Sequence, residues 1–264
     1  MGLSIPRPAM RLVSKDLQKV RMVTSGAEID YTELADATAE KILDAQEPWD
    51  GFILKKDSPS CGLERVKVYG STTIPSRTGE GLFARRLRER YPLLPVIEEG
   101  RLADPEQREH FVTQIFAYHR LRQVTANLSE IQVFHRNYKL ILMEHSPAHY
   151  QKLGRIVANS AGIDPSEVLS QYVLGFVEGL RVPSTPQRRM NVLQHVLGYF
   201  KKMIDPGEKK QILESIQEYR DGILPLMAPL GLLHYMVRKF SITYLEQQFY
   251  FYPYPKALGL RKWL

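Results

Sequence analysis

The chain has a single cysteine, Cys61, among 264 residues. One thiol excludes an intramolecular disulfide framework, and without a Cys-x-x-Cys pair there is neither a zinc ribbon nor a thioredoxin-type redox site. That usage fits a reducing compartment. Long apolar runs are lacking as well: the longest weakly charged stretch, residues 222–237, is shorter than a membrane span and is broken by Pro225, Pro229 and Gly231. The first residues hold Arg7 and Arg11 near Pro6 and Pro8, with no apolar core of a signal peptide. Internal repeats, heptads and low-complexity tracts are missing, and 44% hydrophobic with 25% charged residues excludes disorder. The expectation is a cytoplasmic protein without a membrane segment.

Negative charge is scarce in one part only. Residues 1–109 carry 17 Lys and Arg against 18 Asp and Glu, whereas residues 110–264 carry 19 against 11. The net charge of +7 therefore originates in the second part and points to an acidic partner such as nucleic acid, an argument about association and not about fold.

Periodicity separates the same two parts. Residues 32–46 place Leu34, Ala37, Ile42 and Ala45 at helical spacing behind Thr32, with Glu33 at the positive end of the helix dipole. Residues 51–55 (GFILK) predict a buried strand and residues 65–69 (RVKVY) a half-buried one. Gly79 and Gly81 open a helix to about Arg90, and residues 93–97 predict a further strand. Helices between strands make this part α/β, on a small parallel or mixed sheet. From Asp104 the pattern is helical throughout. Asp104-Pro105, Ser146-Pro147, Asp164-Pro165, Thr185-Pro186 and Asp205-Pro206 each set a capping side chain before a proline at the first helical position, where no backbone N–H is lost. Amphipathic runs such as Phe111, Ile115, Tyr118, Leu121 and Val124, or Val192, Val196, Leu197 and Phe200, predict an all-α bundle of six or seven helices. Domains of residues 1–103 and 104–264 follow.

Cys61 stands directly after a predicted strand, in Ser58-Pro59-Ser60-Cys61-Gly62. Ligands at open α/β sheets gather at the carboxyl ends of strands, and Lys55 and Lys56 favour a thiolate if they face it. The competing reading is a buried, inert cysteine.

That loop, with Gly2-Leu3-Ser4-Ile5-Pro6-Arg7-Pro8, Leu12-Val13 and Gly79-Glu80-Gly81-Leu82-Phe83-Ala84, resembles the TudS-like thiouracil desulfidase domain. The segments Phe134-His135-Arg136-Asn137-Tyr138-Lys139, His145-Ser146-Pro147, Tyr150-Gln151-Lys152-Leu153-Gly154-Arg155 and Pro253-Tyr254-Pro255 resemble the YbgA-like helical domain. The two-domain arrangement is similar to bacterial desulfidases that remove sulfur from 4-thiouridine in tRNA. The resemblance implies a 4Fe-4S cluster held by three cysteine thiolates, its fourth iron open to the thiocarbonyl sulfur as a Lewis acid. Of those ligands only Cys61 is present. Ser58 matches a position beside the cluster where a hydroxyl would position water or relay a proton, and Ser60 is a second candidate that shapes the turn. The first residues align just after the family's second cysteine. The expectation is a truncated reading of a longer protein, or else a variant that has lost the cluster, with an α/β sheet incomplete at its start and an unpaired edge.

For a tRNA substrate, phosphate contacts supply much of the affinity. His135 and Lys139 are four residues apart on one helix, and Arg136, Lys152 and Arg155 lie in the adjacent motif, so together they form a candidate phosphate-facing stripe; the alternative is a solvated helix face. Arg188 and Arg189 sit in the first turn after Thr185-Pro186, against the helix dipole, which points to an RNA phosphate or an intramolecular carboxylate as their partner. The aromatic tail from Tyr244 to Trp263, with Lys256, Arg261 and Lys262 interleaved, either stacks on unpaired bases or packs onto the bundle. His145 and His149 lack the glutamate of a zinc protease motif, and Gly79-x-Gly81 lacks a Walker lysine. Beside tRNA desulfurisation stand two alternatives: a non-enzymatic RNA-binding or interaction protein, and a small-molecule thiouracil desulfidase.

Overall fold

The computed structural model describes residues 8–14, 19–45, 49–70 and 74–264, so Gly2 to Arg7 of the opening motif lie outside the described residues. Two compact units divide the chain, Met1–Gln107 and Arg108–Leu264.

The first unit is α/β. Its four-stranded mixed sheet has the order β2-β1-β4-β5, with β1 at Met10–Val13, β2 at Arg21–Thr24, β4 at Val66–Tyr69 and β5 at Ser76–Gly79. β1 runs antiparallel to β2, Leu12 opposite Met22, and parallel to β4, Leu12 opposite Val68. Alternation along β4 works as the pattern predicts: Val66 and Val68 are buried and Lys67 points out. They meet Leu12, Met22, Ala35 and Leu82 in one apolar cluster. A separate parallel pair, β3 (Phe52–Leu54) with β6 (Val96–Glu98), aligns Leu54 with Glu98.

Three expectations for this unit change. The run at residues 51–55 is not wholly buried, because in a two-stranded pair only one face is covered; Leu54 is inside and Ile53 is 54% exposed. The last strand starts at Val96, not at residue 93, and extends to Glu98. Helix α1 (Thr32–Asp44) turns Ala35, Ala39 and Leu43 inward, while Leu34 and Ile42 face solvent. The i, i+4, i+8 stripe of two alanines and a leucine wins because α1 packs closely on α2 (Leu82–Arg90), where Arg86 pairs with Asp36 and Arg90 with Asp44. Thr32 does not cap α1 with its hydroxyl, which instead accepts the N–H of Met22.

The second unit is helical: α3 (Pro105–Leu121), α4 (Leu128–His145), α5 (Pro147–Ala158), α6 (Pro165–Arg181), α7 (Pro186–Gly198), α8 (Pro206–Arg220), α9 (Met227–Lys239) and the single turn α10 (Thr243–Glu246). Every Asp, Ser or Thr before a helix-starting proline acts as a cap. Asp104 accepts the N–H groups of Glu106 and Gln107, Ser146 that of His149, Asp164 that of Ser166 and Thr185 that of Arg188. Asp205 and Glu208 complete a reciprocal capping box. Val192, Val196, Leu197 and Phe200 are all buried. Among the described residues no helix is long and apolar enough to cross a membrane.

Candidate functional site

The loop that carries Cys61 leaves β3 at its carboxyl end and is clamped by its own backbone. Gly62 N–H donates to the Ser58 carbonyl at 2.8 Å, and the N–H groups of Ser60 and Cys61 donate to Ser58 Oγ at 3.3 and 3.1 Å. Ser58 is therefore the turn-shaping residue. Both N–H contacts use the acceptor capacity of its oxygen, leaving its proton as the group it can offer outward. The Ser60 carbonyl accepts from Phe83 and Ala84, the Pro59 carbonyl from Leu82 and the Gly62 carbonyl from Gly81. The loop thus satisfies the otherwise unpaired donors at the start of α2, so that helix end holds the cysteine loop and is not an open anion cradle. A side chain at Gly81 would bring its Cβ to 2.3 Å from the Ser60 carbonyl oxygen.

Cys61 is a free cysteine and half-buried, not the fully buried cysteine of the inert reading. Two lysines expected near it are placed otherwise. Lys55 pairs with Glu99 at 2.7 Å, which raises the lysine pKa and lowers that of the glutamate through their hydrogen bond; the Lys56 backbone N–H donates to the same carboxylate, and the Lys56 side chain runs beside Gly100. A residue that the pattern missed ties down the same loop: Glu98, only 4% exposed at the end of β6, accepts the N–H of Leu63 at 3.0 Å. Reading the strand as ending at residue 97 hid it, although an acid at the carboxyl end of a parallel strand was the available signal.

A cluster held by three thiolates needs three cysteines, and these 264 residues contain one. Among the described residues no three His, Cys, Asp or Glu side chains are grouped to hold a metal ion. The residues present do not fit a 4Fe-4S site on their own: Cys61 supplies one of the three thiolates that the resemblance implies.

On the helical unit the proposed cations part into two sets. Arg189 is 4% exposed, ion-paired with Glu144 at 3.2 Å and bonded to Tyr219. Arg188 donates to the carbonyls of His145 and Pro183. Their placement against the helix dipole is thus explained within the fold, by a carboxylate and by carbonyls at the end of α4 and just before α7. His135 is also inside, 6% exposed, and burial followed by the charge of Lys139 lowers its pKa to about 4, so it is a neutral ring. Arg136, Lys152 and Arg155 remain exposed and Lys139 half-exposed.

His135, Lys139 and Arg155 line one groove of about 660 Å³ between α4 and α5, with Gln132, Tyr150 and Gln151. Lys139 Nζ lies 5.9 Å from the centroid of the Tyr150 ring. Nearby, Tyr199 and Tyr244 stack at 5.5 Å, and Tyr244 is pushed to a higher pKa by burial first and then by Tyr199 and Tyr150. Periodicity alone did not single out Tyr150 of α5 or Tyr199, which caps the end of α7, while Tyr244 of α10 opens the aromatic tail.

The aromatic tail packs. Tyr250 and Tyr254 are buried, Phe249 lies on Tyr138 and under Arg120, and Arg261 is buried against Glu109 at 2.9 Å. The tail closes a polar core in which Tyr254 and Thr113 also donate to Glu109. Burial raises the Glu144 carboxyl, yet the neighbouring His145, Arg189 and Arg261 more than offset this and hold it below its ordinary value.

Residues 1–99 match the 2-thiouracil desulfurase family, and residues 139–255 match a family described as a protein of unknown function, DUF1722. The chain is 34% identical over 152 residues to a protein of Escherichia coli (strain K12) named "Uncharacterized protein YbgA", spanning 56% of this chain and 90% of that one. No solved structure matches the chain.

Proposed function

The chain belongs to the family of the Escherichia coli protein YbgA, here joined behind a 2-thiouracil desulfurase domain, and from that premise we propose that it acts on 4-thiouridine in tRNA. The first unit gives a desulfidase-type function its thiol-bearing loop, and the helical unit holds the RNA. The observation that carries this reading is the seating of Cys61. Backbone hydrogen bonds to α2 fix its loop, the residue is not fully buried, and it follows the carboxyl end of a parallel strand, where ligands of α/β folds bind. A thiolate is a soft ligand that would hold iron there, and the Ser58 hydroxyl, which accepts the N–H groups of Ser60 and Cys61, keeps its own proton to donate in the same turn.

RNA is held through Lys139, Lys152, Arg155 and Arg136, the exposed or half-exposed members of the basic set. Cys61 alone cannot hold a cluster, so the two further thiolates that one needs would have to be supplied beside it. That same donor set favours a second reading, an RNA-binding protein without turnover.

One experiment separates them. The full chain is incubated without oxygen with bulk tRNA containing 4-thiouridine, with iron, sulfide and a small thiol supplied, and nucleosides are counted after nuclease digestion. The desulfidase reading expects salt-dependent tRNA binding together with loss of 4-thiouridine that Cys61→Ser abolishes. Binding with thiouridine content unchanged selects the second reading. Consumption of free 2-thiouracil without tRNA binding overturns both in favour of a small-molecule enzyme.

A further inference from the structure

Resting on the RNA reading, we propose that the groove between α4 and α5 is a subsite for one unpaired nucleotide of the RNA chain, with its base on Tyr150 and its phosphate at Lys139 and Arg155. Five observations converge on it. The volume, about 660 Å³, lies in the range of built ligand pockets, roughly 300–1,000 Å³. Tyr150 is half-buried, which fixes the ring while keeping it at the surface, and the Lys139 ammonium sits beside it. The amides of Gln132, Gln151 and Asn159 line the same groove and offer donors and acceptors to a base edge. The ring planes of His135 and Tyr150 are nearly parallel, 9° apart with centroids 6.3 Å from each other.

The fifth observation is the state of His135. The Tyr172 hydroxyl is fully buried, and among the described residues its hydrogen-bond partner is His135 Nδ1, 3.2 Å away. A buried hydroxyl proton needs an acceptor, so Tyr172 donates to Nδ1 and the imidazole proton resides on Nε2. Nε2 faces Gly154, where an added Cβ would lie 3.7 Å from it. Glycine at this point keeps side-chain bulk off the groove wall and leaves a neutral N–H donor there, suited to a base carbonyl oxygen rather than to a phosphate.

An unpaired base is the ligand that uses all these groups, since a ring face is offered only by a nucleotide that is not stacked in a duplex. The cations alone would serve any RNA.

The test compares a hexauridine oligomer with a duplex RNA of equal phosphate count, both labelled, binding the full chain at low salt. Tyr150→Leu keeps the bulk and removes the ring; Gly154→Leu fills the groove beside Nε2 without touching a cation. Each is expected to weaken hexauridine roughly tenfold, the loss expected for one stacked base, while duplex binding stays unchanged. Circular dichroism and thermal unfolding establish that both variants are folded, and Gly154→Ala, an ordinary contact, serves as the folded control. The subsite is overturned if both leucine variants bind hexauridine like the parent, or if uridine monophosphate competes as strongly as the oligomer. An unchanged hexauridine affinity beside intact tRNA binding sinks the subsite alone. A parent chain that removes no 4-thiouridine, with the tenfold effect retained in the variants, sinks the catalytic reading alone.

Discussion

Gly81→Ala isolates the contact that seats the cysteine loop. Gly81 has φ −65° and ψ 145°, an extended conformation that alanine adopts freely, so the substitution tests space and not backbone freedom. The added Cβ would stand 2.3 Å from the Ser60 carbonyl oxygen, 2.4 Å from the carbonyl carbon and 2.7 Å from the Cys61 nitrogen. These are backbone atoms with no rotamer to give way. Either the loop is compressed, at about 1–3 kcal/mol for overpacking, or it lifts from α2 and releases the bonds to Gly81, Leu82, Phe83 and Ala84, each worth roughly 0.5–1.5 kcal/mol. A gain of about 0.4–1 kcal/mol from the stiffer unfolded chain offsets part of this, so a net loss of about 2 kcal/mol is expected. The assay is denaturant unfolding in a Trp263→Phe background, where Trp49 is the sole remaining tryptophan and reports on the first unit. A loss below about 0.5 kcal/mol refutes the close approach, and with it the claim that this glycine positions Cys61.

The helical unit offers three further tests. Arg189→Met strands the buried Glu144 carboxylate and should cost about 3–5 kcal/mol, most of it recovered when Glu144→Gln is added; thermal unfolding of both variants showing equal losses would count against the pairing. His110 and His135 both have pKa values lowered to about 4, by burial first and then by His145 and Lys139 respectively. The unfolded chain therefore binds more protons than the folded one between about pH 4 and 6.5. Their contribution is fully present above pH 6.5 and is lost as the pH falls toward 4, by roughly 3 kcal/mol for each ring. Denaturation midpoints that stay flat from pH 7 to 5 would refute this, and His110→Gln should flatten the curve. Finally, Lys139→Gln, Lys152→Gln and Arg155→Gln should each reduce the log–log salt slope of tRNA binding by about 0.7–0.9 if the cation meets one phosphate, whereas Lys209→Gln on α8 should leave it unchanged; equal effects from all four would indicate a diffuse charge effect.

Legibility followed how local the cause was. The five Asp, Ser or Thr residues before prolines fix helix starts by bonds within three residues, and all five caps form. The alternation of residues 66–69 likewise reads directly as a strand with one covered face. The orientation of α1 did not read, because Leu34 and Ile42 are the more apolar residues and only the close packing of α2 decides that the Ala35, Ala39 and Leu43 stripe turns inward. The cysteine loop was legible as a motif, but its cause is non-local: carbonyls at residues 59–62 meet N–H groups at residues 81–84. For the same reason the bond of Glu98 to Leu63 and the approach of Lys139 to Tyr150 were not legible, since each joins residues from different elements.

The charge of the helical unit also looks different once its interior is known. Arg108–Leu264 holds 20 Lys and Arg against 12 Asp and Glu. Two arginines, Arg189 and Arg261, are buried, but each is matched by a buried glutamate, Glu144 and Glu109. Internal pairing thus removes equal charge of both signs and leaves the excess of +8 to the rest of the unit. A polar core neutral in sum and a shell strongly positive in sum have different consequences. The core, tied by Tyr254 and the tail to α3, sets stability and responds to loss of a partner; the shell sets association rate and its dependence on salt. Substitutions in the two should therefore be separable: changes at Arg189 or Arg261 should alter unfolding and leave the salt slope of RNA binding intact, and changes at Lys139 or Arg155 should do the reverse. A variant of Arg261 that stays folded but loses the salt dependence would contradict the division, because that guanidinium is 9% exposed and committed to Glu109 and the Tyr250 carbonyl.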